Sequence, residues 1–355
     1  MAVDQDTLHT LKTESAETAP VDLSWLELDQ TWGMTAKSGK RGLTLDEVNI
    51  GPYGPPSDDA PEEMTYRARG AAKREGVPRM GSYAGTKANV WSENATLLYE
   101  EAVQRQWSSA TDIPWDTLEP LPDEIERAFC QLCTFLTEVE FIAGDTPGQW
   151  VPRISNEHFE TKLFLCSQIM DEARHLDVFR KRALANGGGL LQASPSSSLR
   201  TIINARDFTE MSAIMHVQAE GFIQSMFRMG ELIAQNEAEK RIFRLCAQDE
   251  SRHLGFGVMH LKYVLEHEPW RREEIHTYLD ESENADPETG TFGIQVAESL
   301  IILLGGDKNN SDEGFNKFMA LRKRQVQEYL HRLEVAGLDD RRDRMDPMMR
   351  MMLEV

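Results

Sequence analysis

The pentapeptides Asp171-Glu172-Ala173-Arg174-His175 and Asp249-Glu250-Ser251-Arg252-His253 share one spelling: Glu-x-x-His, with Asp before the Glu and Arg before the His. On a helix of about 3.6 residues per turn, that spacing sets a carboxylate and an imidazole on one face. Both pentapeptides lie in long helical patterns. Leu165, Gln168, Ile169, Glu172, His175, Leu176 and Phe179 recur at steps of three and four around the first. Phe243, Cys246, Ala247, Glu250, His253, Leu254, Gly257 and Leu261 do so around the second, with Arg241, Arg244, Gln248 and Arg252 off the stripe. An ionisable pair therefore interrupts each apolar face. A charge on a buried face is costly unless it is paired or ligates a metal. One Glu-x-x-His alone is an ordinary helix salt bridge worth roughly a few tenths of a kcal/mol. Two copies with matching flanks need a common cause, and a metal centre between the helices supplies it.

Two further helices offer a carboxylate each. A helix over about Asp123 to Ala143 carries Phe129, Leu132, Cys133, Leu136, Glu140 and Ala143 on its apolar stripe, so Glu140 points inward. Its rival Glu138, about 160° away around the helix, shares a mixed face with Gln131, Thr134 and Phe135. A helix over about Leu199 to Gln235 groups Ala213, His216, Glu220, Ile223, Gln224 and Phe227, and Glu220 interrupts this stripe in the same way. Glu210 and Glu231 are expected at the surface. Four carboxylates with two neutral imidazoles balance two divalent cations, and oxygen plus imidazole donors suit iron or manganese better than a thiolate-rich zinc site.

Two inward Glu-x-x-His helices plus one inward Glu on each of two others resemble the ferritin-like diiron-carboxylate superfamily. The resemblance is to its oxygen-activating branch: bacterial monooxygenase hydroxylases, ribonucleotide reductase small subunits, ligand-binding oxidases and arylamine N-oxygenases. Val139-Glu140-Phe141-Ile142-Ala143 and Gln218-Ala219-Glu220-Gly221-Phe222 resemble the family's first- and third-helix ligand segments. The resemblance implies an all-α, ferritin-like four-helix bundle with additional flanking helices. It implies a catalytic centre of two iron ions, with Mn/Fe as the alternative, held by Glu140, Glu172, His175, Glu220, Glu250 and His253. It also implies Asp–Arg pairs behind the ligands, formed by Asp171, Arg174, Asp249 and Arg252. From the residues alone, each Asp accepts a histidine's second ring N–H, pairs with an Arg of the opposing helix, or makes a plain helix salt bridge.

No subfamily fits at every marker. Phe179 stands where reductase small subunits place a radical Tyr, and Met215 where Mn/Fe ligand-binding oxidases carry a cross-linking Tyr. Cys246 replaces the additional His of the N-oxygenases, and Gln224 the Thr of the hydroxylases. His216 and His260 fall on or near a ligand stripe, as extra ligands, a proton relay or buried structural histidines. Gln168, Phe179, His216, Gln224, Phe227 and Cys246 are expected around a pocket for a medium-sized, partly apolar organic substrate.

The chain has 355 residues, 40% of them hydrophobic, and a formal charge of −21, which argues against nucleic acid and anionic membrane surfaces. No apolar run approaches the roughly 18 residues of a membrane span, and Met1 to Glu14 shows no signal-peptide core, so a cytoplasmic protein is expected. Residues 1–85 read as an irregular N-terminal arm, 86–267 as the bundle, 268–340 as flanking C-terminal helices and 341–355 as a Met-rich tail that docks on a partner or is disordered. Further helices are expected over about Val90 to Gln106, Ile154 to Ala185, Ala238 to His267, Arg271 to Leu279, Phe292 to Leu304 and Glu313 to Val335. The aromatic linker Trp107 to Trp115 is expected to pack on the bundle, and a Ser/Pro loop after Gly189 to cross it. Cys130, Cys133, Cys166 and Cys246 read as buried thiols rather than a zinc or redox motif. The resulting expectation is an O2-activating dinuclear iron oxygenase or oxidase that hydroxylates or N-oxygenates a small or medium organic substrate. The alternative is an iron-handling ferroxidase or a Mn/Fe ligand-binding oxidase-like protein. The chain has no flavin, nicotinamide or iron–sulfur motif, so a reductase or ferredoxin is the expected electron donor. A homodimer is the expected assembly.

Overall fold

Long helices form wherever the three-and-four periodicity is sustained. The structure, a computed structural model, describes residues 4–13, 21, 23–28, 33–59, 64–81, 86–193, 198–284 and 293–354. The principal helices are α1 (Ala95–Gln104), α2 (Asp123–Trp150) and α3 (Phe159–Ala185). A fourth rod, α4, runs through Phe208–Met211, a π-helical stretch Ser212–Ala219 and Glu220–Met229. It is followed by α5 (Glu237–His267), α6 (Arg272–Glu283), α7 (Ile294–Gly305) and α8 (Ser311–Ala336). The described residues contain no β-strand, only two isolated bridges.

Local chemistry sets the helix ends. Asp123, Glu124 and Glu126 lie in the first turn of α2, where the unpaired backbone N–H groups favour negative charge. Asn236 caps α5 by accepting from Glu239 N at 2.9 Å, while the Glu239 carboxylate accepts from Gln235 N at 2.6 Å. Three boundaries differ from the sequence pattern. α2 continues past Ala143 through Pro147 to Trp150, because Trp150 is buried against Phe208 and this packing outweighs the hydrogen bond lost at proline. The rod expected over Leu199 to Gln235 is broken. Ser198–Ile203 is a separate short helix, and Asp207 starts a new one by accepting from Glu210 N at 2.8 Å. Gly230 ends the rod where a Cβ would strike the Phe243 ring.

One apolar core runs from α2, α3, α4 and α5 into α7 and α8, joining Phe129, Phe179, Phe222 and Phe243 to Leu300, Val326 and Leu333. Trp107 and Ile113 of the aromatic linker are buried in it. So are Met345 and Met349. The Met-rich tail therefore packs on its own chain, held by a fully buried Arg341 that donates to Asp280 at 2.7 Å and Glu283 at 3.0 Å. The described part of the arm folds over the start of α3, where the fully buried Glu160 accepts from Arg69 at 3.0 Å and from Asn49 Nδ2 at 2.9 Å. The Ser/Pro loop at 194–197 lies outside the described residues. Cys130, Cys133 and Cys246 are buried thiols, whereas Cys166 is exposed because it lies off the inward stripe of α3.

At one end of the bundle the fully buried Arg182 donates to Glu239 at 2.6 Å and to Glu126 at 2.7 and 3.0 Å, tying α3 to α5 and α2. Removing the cation leaves two buried carboxylates without it. Arg182→Met is expected to lower stability by about 3–5 kcal/mol, read from urea unfolding.

Candidate metal centre

Glu140, Glu172, His175, Glu220, Glu250 and His253 project from four rods onto one point, none more than 5% exposed. They form two donor sets. Glu140, Glu172, His175 and Glu250 make one; Glu172, Glu220, Glu250 and His253 make the other, with the donor atoms of each set within 4.8 Å of one another. Glu172 and Glu250 belong to both.

His175 Nδ1 lies 3.0 Å from Glu172, 3.2 Å from Glu250 and 3.7 Å from Glu140. His253 Nδ1 lies 2.9 Å from Glu172, 3.3 Å from Glu250 and 4.0 Å from Glu220. The other ring nitrogens face away from the carboxylates at the centre. His175 Nε2 is 3.3 Å from Asp249 and His253 Nε2 is 3.2 Å from Asp171, so each aspartate serves the histidine of the opposite helix. Each aspartate also accepts from both arginines. Arg252 donates to Asp171 and to Asp249 at 2.7 Å, and Arg174 donates to Asp249 at 3.0 Å and to Asp171. This lattice explains why Arg252, off the apolar stripe, is nonetheless buried. A histidine whose Nε2–H is donated to a carboxylate keeps Nδ1 free as a metal donor.

The competing candidates sort cleanly. Glu138 is half-buried and lies outside both donor sets, whereas Glu140 belongs to one. Glu231 pairs with Arg244 at the surface, but Glu210 is buried, receiving Arg206 at the start of α4. His260 has both ring nitrogens engaged, by Trp91 O at 2.8 Å and Thr209 Oγ1 at 3.1 Å, and lies outside both donor sets. His216 is bonded to Ser212 and Gln168, one residue removed from Glu220.

A cavity of about 60 Å³ opens against Glu140, Glu220 and Glu250, walled by Phe135, Ile142, Met215, Ala219 and Ile223 with Gln218 as a polar member. None of the six residues expected around a pocket lines it. Gln168 and His216 lie behind Glu220, Phe179 and Phe227 pack tilted with their ring centroids 5.4 Å apart in the core, and Cys246 is buried there too. Gln224 donates to Ser251. Helical periodicity told which side faces inward but not which residues stand at the height of the opening. It also gave no sign of Trp107 Nε1 donating to Asp249 at 2.7 Å, with its ring stacked 6.4 Å from that of His175. The only hint was an aromatic linker expected to pack on the bundle.

The electrostatics test whether the donor set fits a metal. Burial pushes the carboxyls of Glu140 and Glu220 well above the usual range, and the neighbouring carboxylates push in the same direction. Against the penalty of burial, His253 and His175 hold Glu172 well below it. Both imidazoles are raised despite burial, His175 by Cys246 and Asp249 and His253 by Glu172 and Asp171. Glu140 Oε1 and Glu220 Oε2 are buried without a hydrogen-bond partner, and Glu172 Oε1 and Glu250 Oε2 lie 2.9 and 3.3 Å from His253 Nδ1 without hydrogen-bond geometry. Orphaned acceptors concentrated at one point, four carboxylates and two outward-tied imidazoles fit a pair of divalent cations.

No protein-family model and no curated sequence matches the chain. Solved structures do. They include a single-site variant of an R2-like ligand-binding oxidase with aerobically reconstituted Mn/Fe cofactor, at TM-score 0.53 and 18% identity. Another variant with anaerobically reconstituted Mn/Fe cofactor gives 0.54 and 19%, and the oxidase after photoconversion gives 0.53 and 16%. In each case the match covers 69% of this chain and 94% of the other. The chain has the ferritin-like fold. Within this ferritin-like bundle the buried carboxylate and imidazole cluster is able to bind metal.

A pH dependence follows. The folded pKa values of Glu140, Glu220, His175 and His253 lie above their ordinary 4.5 and 6.5. Their protonated forms stabilise the metal-free fold fully at low pH, and that contribution is lost as pH rises through the folded values. Glu172 runs oppositely, but its stabilisation is complete above about 4.5 and does not change at higher pH. Metal-free protein is therefore expected to lose thermal stability as pH rises above about 6.5 while the gap to Mn(II)-loaded protein widens, with protons released on loading. Melting curves of chelated and loaded samples check this.

Proposed function

We propose that the chain is an O2-activating dinuclear iron oxidoreductase that oxidises a small or medium, largely apolar organic substrate by hydroxylation or N-oxygenation. The observation that carries this reading is the apolar cavity abutting Glu140, Glu220 and Glu250, carboxylates of the two donor sets. Glu140, Glu172, His175, Glu220, Glu250 and His253 would hold the metals. Bound there, two iron ions or a Mn/Fe pair supply the redox chemistry that reduces O2.

The chain's own residues do the rest. Asp249 and Asp171 hold His175 and His253 in the tautomer that leaves Nδ1 free, and Arg174 and Arg252 donate to both aspartates in the core. Phe135, Ile142 and Ile223 exclude water beside the carboxylates and favour an apolar ligand, which Gln218 and Ser282 can orient by hydrogen bonding. Electrons come from a separate reductase or ferredoxin, and the working assembly is a homodimer.

A second reading is favoured by the fold neighbours, described as R2-like ligand-binding oxidases with Mn/Fe cofactor. Met215, at the cavity wall, stands where that family's resemblance places a cross-linking Tyr. A Mn/Fe oxidase of this type would retain a bound apolar ligand without turning it over.

Anaerobic metal loading followed by isotopically labelled O2 separates the two. Label in a released product, with O2 uptake that depends on substrate and reductant, supports the oxygenase; fewer than one iron or manganese per chain refutes both readings. Ile223→Trp, which fills the cavity, is expected to abolish substrate-dependent O2 uptake while metal content stays at the wild-type value. Glu172→Ala, which removes a donor shared by both sets, is expected to weaken metal binding by about 10–100-fold or more.

A further inference from the structure

One buried polar chain ends on the donor sets without belonging to them. Gln168 Nε2 donates to Glu220 Oε1 at 2.8 Å, Gln168 Oε1 pairs with His216 Nε2 at 3.1 Å, and His216 Nδ1 pairs with Ser212 Oγ at 3.0 Å. Gln168, His216 and Ser212 are fully buried. Valence fixes the direction. The Glu220 oxygen accepts, so Gln168 donates through its nitrogen, its oxygen must accept, and His216 must carry its proton on Nε2 and accept the Ser212 hydroxyl on Nδ1. Burial pushes His216 down to about 3, in keeping with a neutral ring.

The backbone is arranged around this chain. Ser212 and His216 both belong to the π-helical stretch that ends where Glu220 begins. Gly257 of α5 faces it. A Cβ there would stand 2.4 Å from that of His216, so only glycine lets α4 bring the imidazole this close. π-helical turns interrupt helices frequently at functional sites.

We propose that Gln168 and His216 are positioning residues for the cation position on the His253 side. The amide of Gln168, itself oriented by His216, fixes the plane of the Glu220 carboxylate by holding Oε1 and leaves Oε2 without a hydrogen bond. Among the described residues no amide reaches Glu140: its Oε2 faces only His175, whose Nδ1 lies 3.7 Å away, and its Oε1 has no hydrogen-bond partner, so the two cation positions differ in how their terminal carboxylate is held. The proposal rests on the dinuclear reading of the cluster.

The test is an anaerobic Mn(II) titration of the full chain, followed by calorimetry and by the EPR signal of free Mn(II). Wild type is expected to bind two ions in two steps. Gln168→Leu should weaken one step by about 10–100-fold and leave the other at its wild-type constant. If that variant does not fold by circular dichroism, Gln168→Glu keeps the volume, removes the donated N–H and should show the same selective loss. His216→Gln, which can still donate to Gln168, should lie nearer wild type than His216→Leu, an ordering that a merely space-filling role would not produce. Two equal losses, or wild-type binding in the Gln168 variants, would overturn the proposal, as would indistinguishable His216 variants. Wild type binding fewer than two ions would instead sink the dinuclear reading.

Discussion

Four carboxylates meeting in a dry interior set the terms for everything around them. Like charges at such separations repel strongly in a medium of low dielectric, and taking each from water costs several kcal/mol more. Only protons or cations relieve this. Without metal, burial and the neighbouring carboxylates push Glu140 and Glu220 toward their protonated forms, and the surrounding acids raise both imidazoles; with two divalent ions, four carboxylates and two neutral imidazoles sum to zero. The lattice of Asp171, Arg174, Asp249 and Arg252 behind the histidines solves the same problem with fixed charges, two of each sign, all buried.

Much of this was legible in the sequence because helical periodicity resolves faces well. A Glu or His breaking an apolar stripe marks an inward direction, and Glu140 is buried where Glu138 is half-buried. Periodicity does not resolve axial height or partner choice. Hence the crossed arrangement, in which Asp171 serves His253 and Asp249 serves His175, stayed one option among several. The cavity wall was missed for the same reason: Phe179 and Phe227 share the inward face with the ligands but lie in the packed core. The π-helical stretch has no sequence signature at all, since its residues are as apolar as those of an α-helix. It alters the phase of α4 just before Glu220, and Met215, Gln218 and Ala219 come to line the cavity.

The likeness to R2-like oxidases extends over 69% of the chain, and at under 20% identity it speaks for architecture. What lies on the bundle is tied into it by buried charge. Arg69 of the arm reaches Glu160 of α3, and Arg341 near the C-terminus reaches Asp280 and Glu283 of α6. A buried ion pair adds little net stability against a well-packed apolar alternative, but it is unforgiving of misplacement, since each partner left alone is an uncompensated charge. Such pairs fix where the arm and the tail lie.

The sharing of Glu172 and Glu250 between the donor sets has a consequence for how the centre fills. An ion held in one position would take part of its charge compensation from both shared carboxylates, so a neighbour would meet a partly neutralised environment. Binding at the two positions would therefore be coupled through Glu172 and Glu250, the affinity for a second ion depending on the first.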